Sequence, residues 1–369
     1  MYDGKRVRAH PVRLRKSLGV LILAAVVVVG VAVTAVRPGR VPYPLLSLKD
    51  SGGSITSVAF SPDGRVIAAG DEYGFAYLRD ARTGRLLRRL LDPGQGYVAT
   101  LAYEPDGKVL ATGDEDGTTF LWDTATGRQL GTLRDPDTVA DLTSVAFSPG
   151  GVLLAVGDDD GGAYLWNTAT GHEITRLAFP SGLSSQLVDP AMVASSPDRN
   201  VVAVASKAGV VLSSASTGQA LACVPGIRGA YFGGLTFSPD GRMLAAGISD
   251  GALVWSVATL HRLAVLARSA CAGSTGIAFS PDGRLLATGA GTPYTGAACV
   301  WNVAIGRPDE VFADPAGFVV DAVAFSPDGR LLATGDNDDG DMPATNSPRT
   351  LIWKESDWNR VAGSGRDEQ

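Results

Sequence analysis

One turn motif recurs seven times along this chain, and seven is enough to close a ring. It reads Ser61-Pro62-Asp63-Gly64, Glu104-Pro105-Asp106-Gly107, Ser148-Pro149-Gly150-Gly151, Ser196-Pro197-Asp198-Arg199, Ser238-Pro239-Asp240-Gly241, Ser280-Pro281-Asp282-Gly283 and Ser326-Pro327-Asp328-Gly329. Successive prolines lie 42 to 48 residues apart. That is the period of a four-stranded structural repeat whose sheet faces are buried only by its neighbours.

The second copy shows the internal grammar. Thr100-Leu101-Ala102-Tyr103 alternates small and large residues, the period-two signal of a strand. The Pro-Asp-Gly turn follows, with φ preset by proline and a positive φ accepted by glycine. Lys108–Gly113 reads as a second strand, Asp114-Glu115-Asp116-Gly117 as a turn and Thr119–Asp123 as a third strand. Thr126-Gly127 turns again into a fourth strand, Arg128–Leu133. Three short turns make an antiparallel meander, not a βαβ unit. The expected fold is all-β: a seven-bladed propeller of four-stranded antiparallel blades, spanning 44–354.

The strand "SVAFSPDGR", the strand "LLATGD", the "D-x-D-G" turn and the strand "LWD" resemble the WD-repeat family. Trp122, Trp166, Trp255, Trp301 and Trp353 fall at the equivalent third-strand position, as structural blade tryptophans. The resemblance implies a ring that binds proteins or peptides without performing chemistry. It also exposes departures. The family often carries Gly-His before the first strand, with the histidine tying the blade together. Here His10, His172 and His261 are the only histidines, and Asp-Pro takes several of those loops: Asp92-Pro93, Asp135-Pro136, Asp189-Pro190 and Asp314-Pro315. The family's internal hydrogen-bonded tetrad is therefore expected to be absent. Blade 4 is the most degenerate, with Ser195 for the strand aromatic and Ser213 for the tryptophan, and is expected to be the least stable.

A ring must also close. The seventh repeat reaches its third strand at Thr350–Trp353, so its fourth strand must come from elsewhere. Pro44–Lys49 sits at the offset of the other fourth strands and is the expected partner. The competing candidate is Trp358–Ala362.

Ahead of the propeller, residues 1–17 are basic and Leu18–Val36 is apolar with only Thr34 polar. Nineteen such residues at ~1.5 Å rise span ~28 Å, close to a bilayer core. Lys5, Arg6, Arg8, Arg13, Arg15 and Lys16 lie on the N-side, which by the positive-inside rule places the N-terminus in the cytoplasm and the propeller outside. The segment 18–36 is read as a single transmembrane helix or uncleaved signal anchor, 37–43 as a linker and 355–369 as a polar tail. The rival is a cleavable signal peptide with Val33-Thr34-Ala35 as its site. Both readings export the propeller. Arginine far outnumbers lysine while alanine and glycine abound, a composition that fits a GC-rich bacterial genome.

Beyond residue 36 the chain holds 26 basic and 37 acidic side chains, which excludes the basic footprint of a nucleic-acid binder. Cys223, Cys271 and Cys299 have no metal-ligand spacing and read as small apolar fillers, a Cys223–Cys271 contact being the alternative.

Strand order assigns loops to faces. Blade-to-blade loops and second-to-third-strand turns share one face; Pro-Asp-Gly and Thr-Gly turns share the other. The longer insertions, Pro180–Ala191, Gly291–Ala298 and Asp336–Arg349, all fall on the first face, the expected binding side. That face is acidic. Asp114, Asp116, Asp158, Asp160, Asp336, Asp338, Asp339 and Asp341 are the candidate contacts for an unidentified protein partner with a basic surface. Asp before Gly also suits tight turns on its own account. Calcium is disfavoured, because the glycine and closing glutamate of an EF-hand are misplaced. The opposite face carries Arg65, Lys108, Arg242, Arg284 and Arg330 and is expected to lie toward the bilayer, since only Arg37–Tyr43 separates the ring from the apolar run.

The reading is a membrane-tethered interaction scaffold with no catalytic residues, no metal and no cofactor. A propeller enzyme of lactonase, lyase or dehydrogenase type, or a small-molecule sensor, would use the central channel and need convergent ligands or an acid/base pair near the axis. His172 and His261 fall at third-to-fourth-strand connections, away from it.

Overall fold

Each repeat folds into its own twisted sheet, because three tight turns bring four short strands into register before any long-range contact is needed. The computed structural model describes residues 43–357, apart from 50–52, 95, 135–139, 178–190, 198–199, 208, 225–230, 274–275, 293–294 and 338–347. Among the described residues there are seven four-stranded antiparallel sheets, in six of which the strand order follows the chain. Blade 2 is representative: Val98–Tyr103, Val109–Asp114, Thr118–Asp123 and Gln129–Arg134 pair in succession.

The seventh sheet is the closure. Val319–Phe325, Leu331–Asn337 and Thr350–Lys354 are completed by Leu46–Leu48, with Leu46 opposite Ile352, Ser47 opposite Leu351 and Leu48 opposite Thr350. The rival segment Trp358–Ala362 and the apolar run Leu18–Val36 lie outside the described residues, within which no helix is long and apolar enough to cross a membrane. Within the stretch read as a polar tail, Glu355–Asp357 forms a 3-10 turn.

The core is distributed between sheets. Leu121 and Leu133 of blade 2 pack with Leu142, Val145, Leu154 and Trp166 of blade 3. Across the closing seam, Ala333 and Ile352 pack with Ile55, Val58, Phe60 and Ile67 of blade 1. All five blade tryptophans are buried. The expected loss of the internal tetrad holds only in part. Trp122, Trp301 and Trp353 donate their indole N–H to Thr112, Thr288 and Thr334 at 2.8, 3.0 and 3.2 Å. The hydroxyl comes from "ATGD" or its counterpart "ATGA" in blade 6; blade 3 reads "AVGD" and has none at that position.

Two expectations are corrected. Cys271 and Cys299 form a disulfide, with Cα atoms 6.0 Å apart, and Cys223 is a free, exposed cysteine. The bridge ties the 3-10 turn Ser269–Cys271, between blades 5 and 6, to the third strand of blade 6. Gly291–Ala298 is no loop insertion: the strands Leu285–Thr292 and Thr295–Asn302 run through it and pair as far as Thr292 and Thr295.

Candidate functional site: the acidic face and the central channel

Several of the innermost strands present polar groups toward the axis. The cause is a β-bulge. The register of the first strand slips by one residue between Ile55 and Ser57, Val98 and Thr100, Leu142 and Ser144, Phe232 and Gly234, and Val320 and Ala322. The extra residue leaves the ladder and is re-aimed. Those residues, Thr56, Ala99, Thr143, Gly233 and Asp321, all line a central cavity of about 490 Å³.

The serine that follows the bulge ties seams together. Leu101 N–H of blade 2 donates to Ser57 Oγ of blade 1 at 3.1 Å, and Val193 N–H of blade 4 donates to Ser144 Oγ of blade 3 at 2.7 Å.

The charged members of the channel lining are Asp141, Asp159 and Asp321; among the described residues no lysine or arginine lines it. Tyr97 donates its hydroxyl to Asp141 Oδ2 at 3.0 Å, and Asn337 donates its amide to Asp321. Burial raises the Asp159 carboxyl, and Asp141 and Asp160 raise it further. Burial and the bond to Asp141 raise the Tyr97 phenol, which stays protonated. The channel mouth is therefore a half-buried field of one sign.

The sequence-predicted contacts divide. Asp114, Asp158 and Asp336 are 2, 1 and 0 % exposed and cannot meet a partner where they stand. Two of them build turns: Asp114 Oδ1 accepts the N–H groups of Asp116 and Thr118, and Asp158 Oδ1 that of Gly162. Asp116 and Asp160 are exposed beside them. Asp338, Asp339, Asp341 and residues 180–190 of the first insertion lie outside the described residues. Sequence reading missed Asp141, Asp321 and Tyr97. The available signal was a polar residue just before the "SVAF"-type strand, where an unbroken alternation would bury it.

Two of the Asp-Pro loops reach the same buried turns, while Asp135-Pro136 and Asp189-Pro190 lie outside the described residues. Asp92 Oδ1 accepts Gly94 N–H at 2.7 Å, and Asp314 Oδ2 accepts Phe318 N–H at 2.6 Å. Burial pushes Asp114 up to about 6, with Asp92 and Asp116 adding to the shift. Burial and then Asp314 hold Asp336 well above the usual range, against the pull of Arg349. On the opposite face the logic is reversed. Ser61, Ser238 and Ser326 donate to Asp63, Asp240 and Asp328 at 2.6 Å and lower them.

His172 and His261 are exposed at third-to-fourth-strand connections, as expected, and neither lines the channel. Among the described residues no group of three His, Cys, Asp or Glu side chains is arranged to hold a metal ion.

The "WD domain, G-beta repeat" family matches residues 42–80, 84–123, 127–167, 266–302 and 310–341, together just over half of the chain. The chain belongs to the WD-repeat family. Each match begins in or near one blade's outer strand and runs into the next blade, the offset that ring closure demands. The WD-repeat matches omit 168–265, which includes blade 4 with Ser195 and Ser213. No curated protein matches the chain.

Proposed function

We propose that this WD-repeat propeller is a membrane-tethered, exported, non-catalytic scaffold that receives a basic protein segment at the acidic face. The observation that carries the reading is the channel mouth, where Asp141, Asp159 and Asp321 line the cavity with no cation among its described lining residues. Such a field steers and orients a complementary partner. Exposed Asp116 and Asp160 extend it outward. WD-repeat propellers commonly bind proteins, which supports the scaffold over an enzyme. The apolar run Leu18–Val36 and its basic flank support a tether, and the Cys271–Cys299 disulfide is of the kind that persists in oxidising, extracytoplasmic compartments. In this arrangement the Pro-Asp-Gly face is turned toward the bilayer and the acidic face away from it.

The test is cross-linked affinity purification of the full chain from native membranes, beside a variant carrying Asp141→Asn, Asp159→Asn and Asp321→Asn. A stoichiometric partner rich in lysine and arginine, lost from the variant, is the expected result. A partner retained at equal yield defeats the acidic-mouth reading. Absence of any partner from both samples favours a small molecule in the channel, whose volume falls within the range of ligand cavities.

A further inference from the structure

A second cavity, of about 370 Å³, lies at the seam of blades 1 and 2 on the side of the Pro-Asp-Gly turns. Val66, Leu78 and Leu87 are among its apolar lining, Tyr103 joins it from blade 2, and the exposed residues Asp63, Arg88 and Asp106 are its charged members.

Tyr103 breaks the repeat. Phe60, Phe147, Phe237, Phe279 and Phe325 hold the equivalent end of the first strand, and only Tyr103 keeps the ring and adds a hydroxyl. Its ring packs against the same apolar cluster as a phenylalanine would, with Leu78 and Leu101. The phenol oxygen is shut off from solvent and has no hydrogen-bond partner. Buried polar atoms without partners are rare in folded proteins, and each calls for a reason. Here the orphan belongs to a residue that lines a cavity.

The neighbours decide what chemistry completes it. Asp63 accepts the Ser61 hydroxyl and the Arg65 N–H through Oδ1, while its Oδ2 has Arg65 Nε only at 3.9 Å. Asp106 is engaged by Lys108 Nζ at 2.7 Å. Hydrogen bonds keep both carboxyls ionised, Asp63 through Ser61 and Asp106 through Lys108. Arg88 is occupied by the carbonyls of Leu87 and Ala125, at 2.8 and 2.6 Å. What is left without a close hydrogen-bond partner is the second carboxylate oxygen of Asp63 and the Tyr103 hydroxyl, which can accept as well as donate, beside an apolar wall. A positively charged donor satisfies both oxygens at once.

We propose that the blade 1–blade 2 seam is a binding site for an organic ammonium group on a short apolar body, held by the Asp63 carboxylate and the Tyr103 hydroxyl. The site is separate from the channel mouth and stands or falls without it.

The experiment uses the purified full-length protein, with benzylamine as the probe and benzyl alcohol and benzoate as controls, followed by saturation-transfer NMR and thermal melting. Benzylamine is expected to bind and benzoate not to. Tyr103→Phe and Asp63→Asn should each weaken benzylamine by at least about five-fold. Tyr103→Phe should melt no lower than the parent, because five other blades carry phenylalanine there. A second arm replaces benzylamine with Nα-acetyl-lysine methylamide. Tighter binding of the lysine analogue assigns the site to a protein side chain, and tighter binding of benzylamine to a free amine. Equal benzylamine affinity in parent and both variants overturns the proposal. So does benzoate binding in place of benzylamine, the failure of every probe to bind, or a lower melting point for Tyr103→Phe, which would make the hydroxyl structural.

Discussion

Pro327 in the last blade lies against Gly64 in the first, the same contact that Pro62 makes with Gly107 and Pro281 with Gly329. The closing seam thus repeats the geometry of the internal seams. Gly64 also has φ +70°, a conformation that costs other residues about 1–2 kcal/mol. Gly64→Ala is expected to lower stability by at least that amount in urea unfolding. Gly150→Ala is the control, since nothing stands within 4 Å of the new methyl. A Gly64→Ala variant as stable as Gly150→Ala would show that the turn can move aside.

The aspartates of the two faces respond to pH with opposite sign. Asp114 is raised by burial to about 6 from an ordinary value of 3.8. Its contribution is therefore complete below pH ~4 and lost as pH rises through about 6. Asp63, Asp240 and Asp328 are lowered by their serine partners, so theirs is present above pH ~4 and lost on acidification. Asp114→Asn should remove about 2–3 kcal/mol of the decline in stability between pH 4 and pH 7. Urea midpoints measured across that window check it; an unchanged slope would assign the decline to other groups.

Thiol counting tests the cross-link. Native protein should react with one equivalent of a thiol reagent, at Cys223, and unfolded reduced protein with three. Replacing Cys271 and Cys299 with serine should cost about 2–4 kcal/mol. Three reactive thiols in the native, unreduced protein would mean the pair is open.

Blade 4 should be the loosest. Its first strand is only Met192–Ser195, and Ser213 stands in the tryptophan position, buried, with its hydroxyl unpaired. Its amides are expected to exchange faster than those of blades 2 and 3 in native-state hydrogen exchange. Ser213→Ala should be neutral or stabilising, because it removes an unsatisfied hydroxyl. Equal protection across the three blades would contradict the first part, and a large loss of stability the second.

Blade 5 stores strain in one residue. Leu260 replaces the glycine of the Thr-Gly turn yet keeps φ +58°. Leu260→Gly should be tolerated, relief of about 1–2 kcal/mol offsetting the lost contact of a half-buried side chain. The reverse change in blade 2, Gly127→Leu, should destabilise by a similar amount. Melting both variants checks the pair of signs; two equal losses would place the strain elsewhere.

Local chemistry carried most of the fold. Pro-Asp-Gly, Thr-Gly and Asp-x-Asp-Gly each specify a turn within four residues, so blade number, strand order and the role of Leu46–Leu48 were legible from spacing alone. The site was less so. Asp114 and Asp116 look alike in sequence, but one closes a buried turn and the other faces water, a difference made by the neighbouring sheet. Asp321 reaches the channel only because a bulge breaks the alternation that would bury it. The Cys271–Cys299 bridge depends on a turn folding back onto a strand of the following blade, which no spacing rule encodes.

The borrowed strand also sets an order in time. Leu46–Leu48 leaves the ribosome long before Thr350–Lys354, the strand it pairs with. At ~5–20 residues per second it waits roughly 15 to 60 seconds. Throughout that interval the ring is an open arc whose end blades lack the neighbour that buries their apolar faces, and Leu46–Leu48 has no strand to pair with. Its vulnerability to aggregation is thus greatest during synthesis and ends with one event, the arrival of the seventh blade.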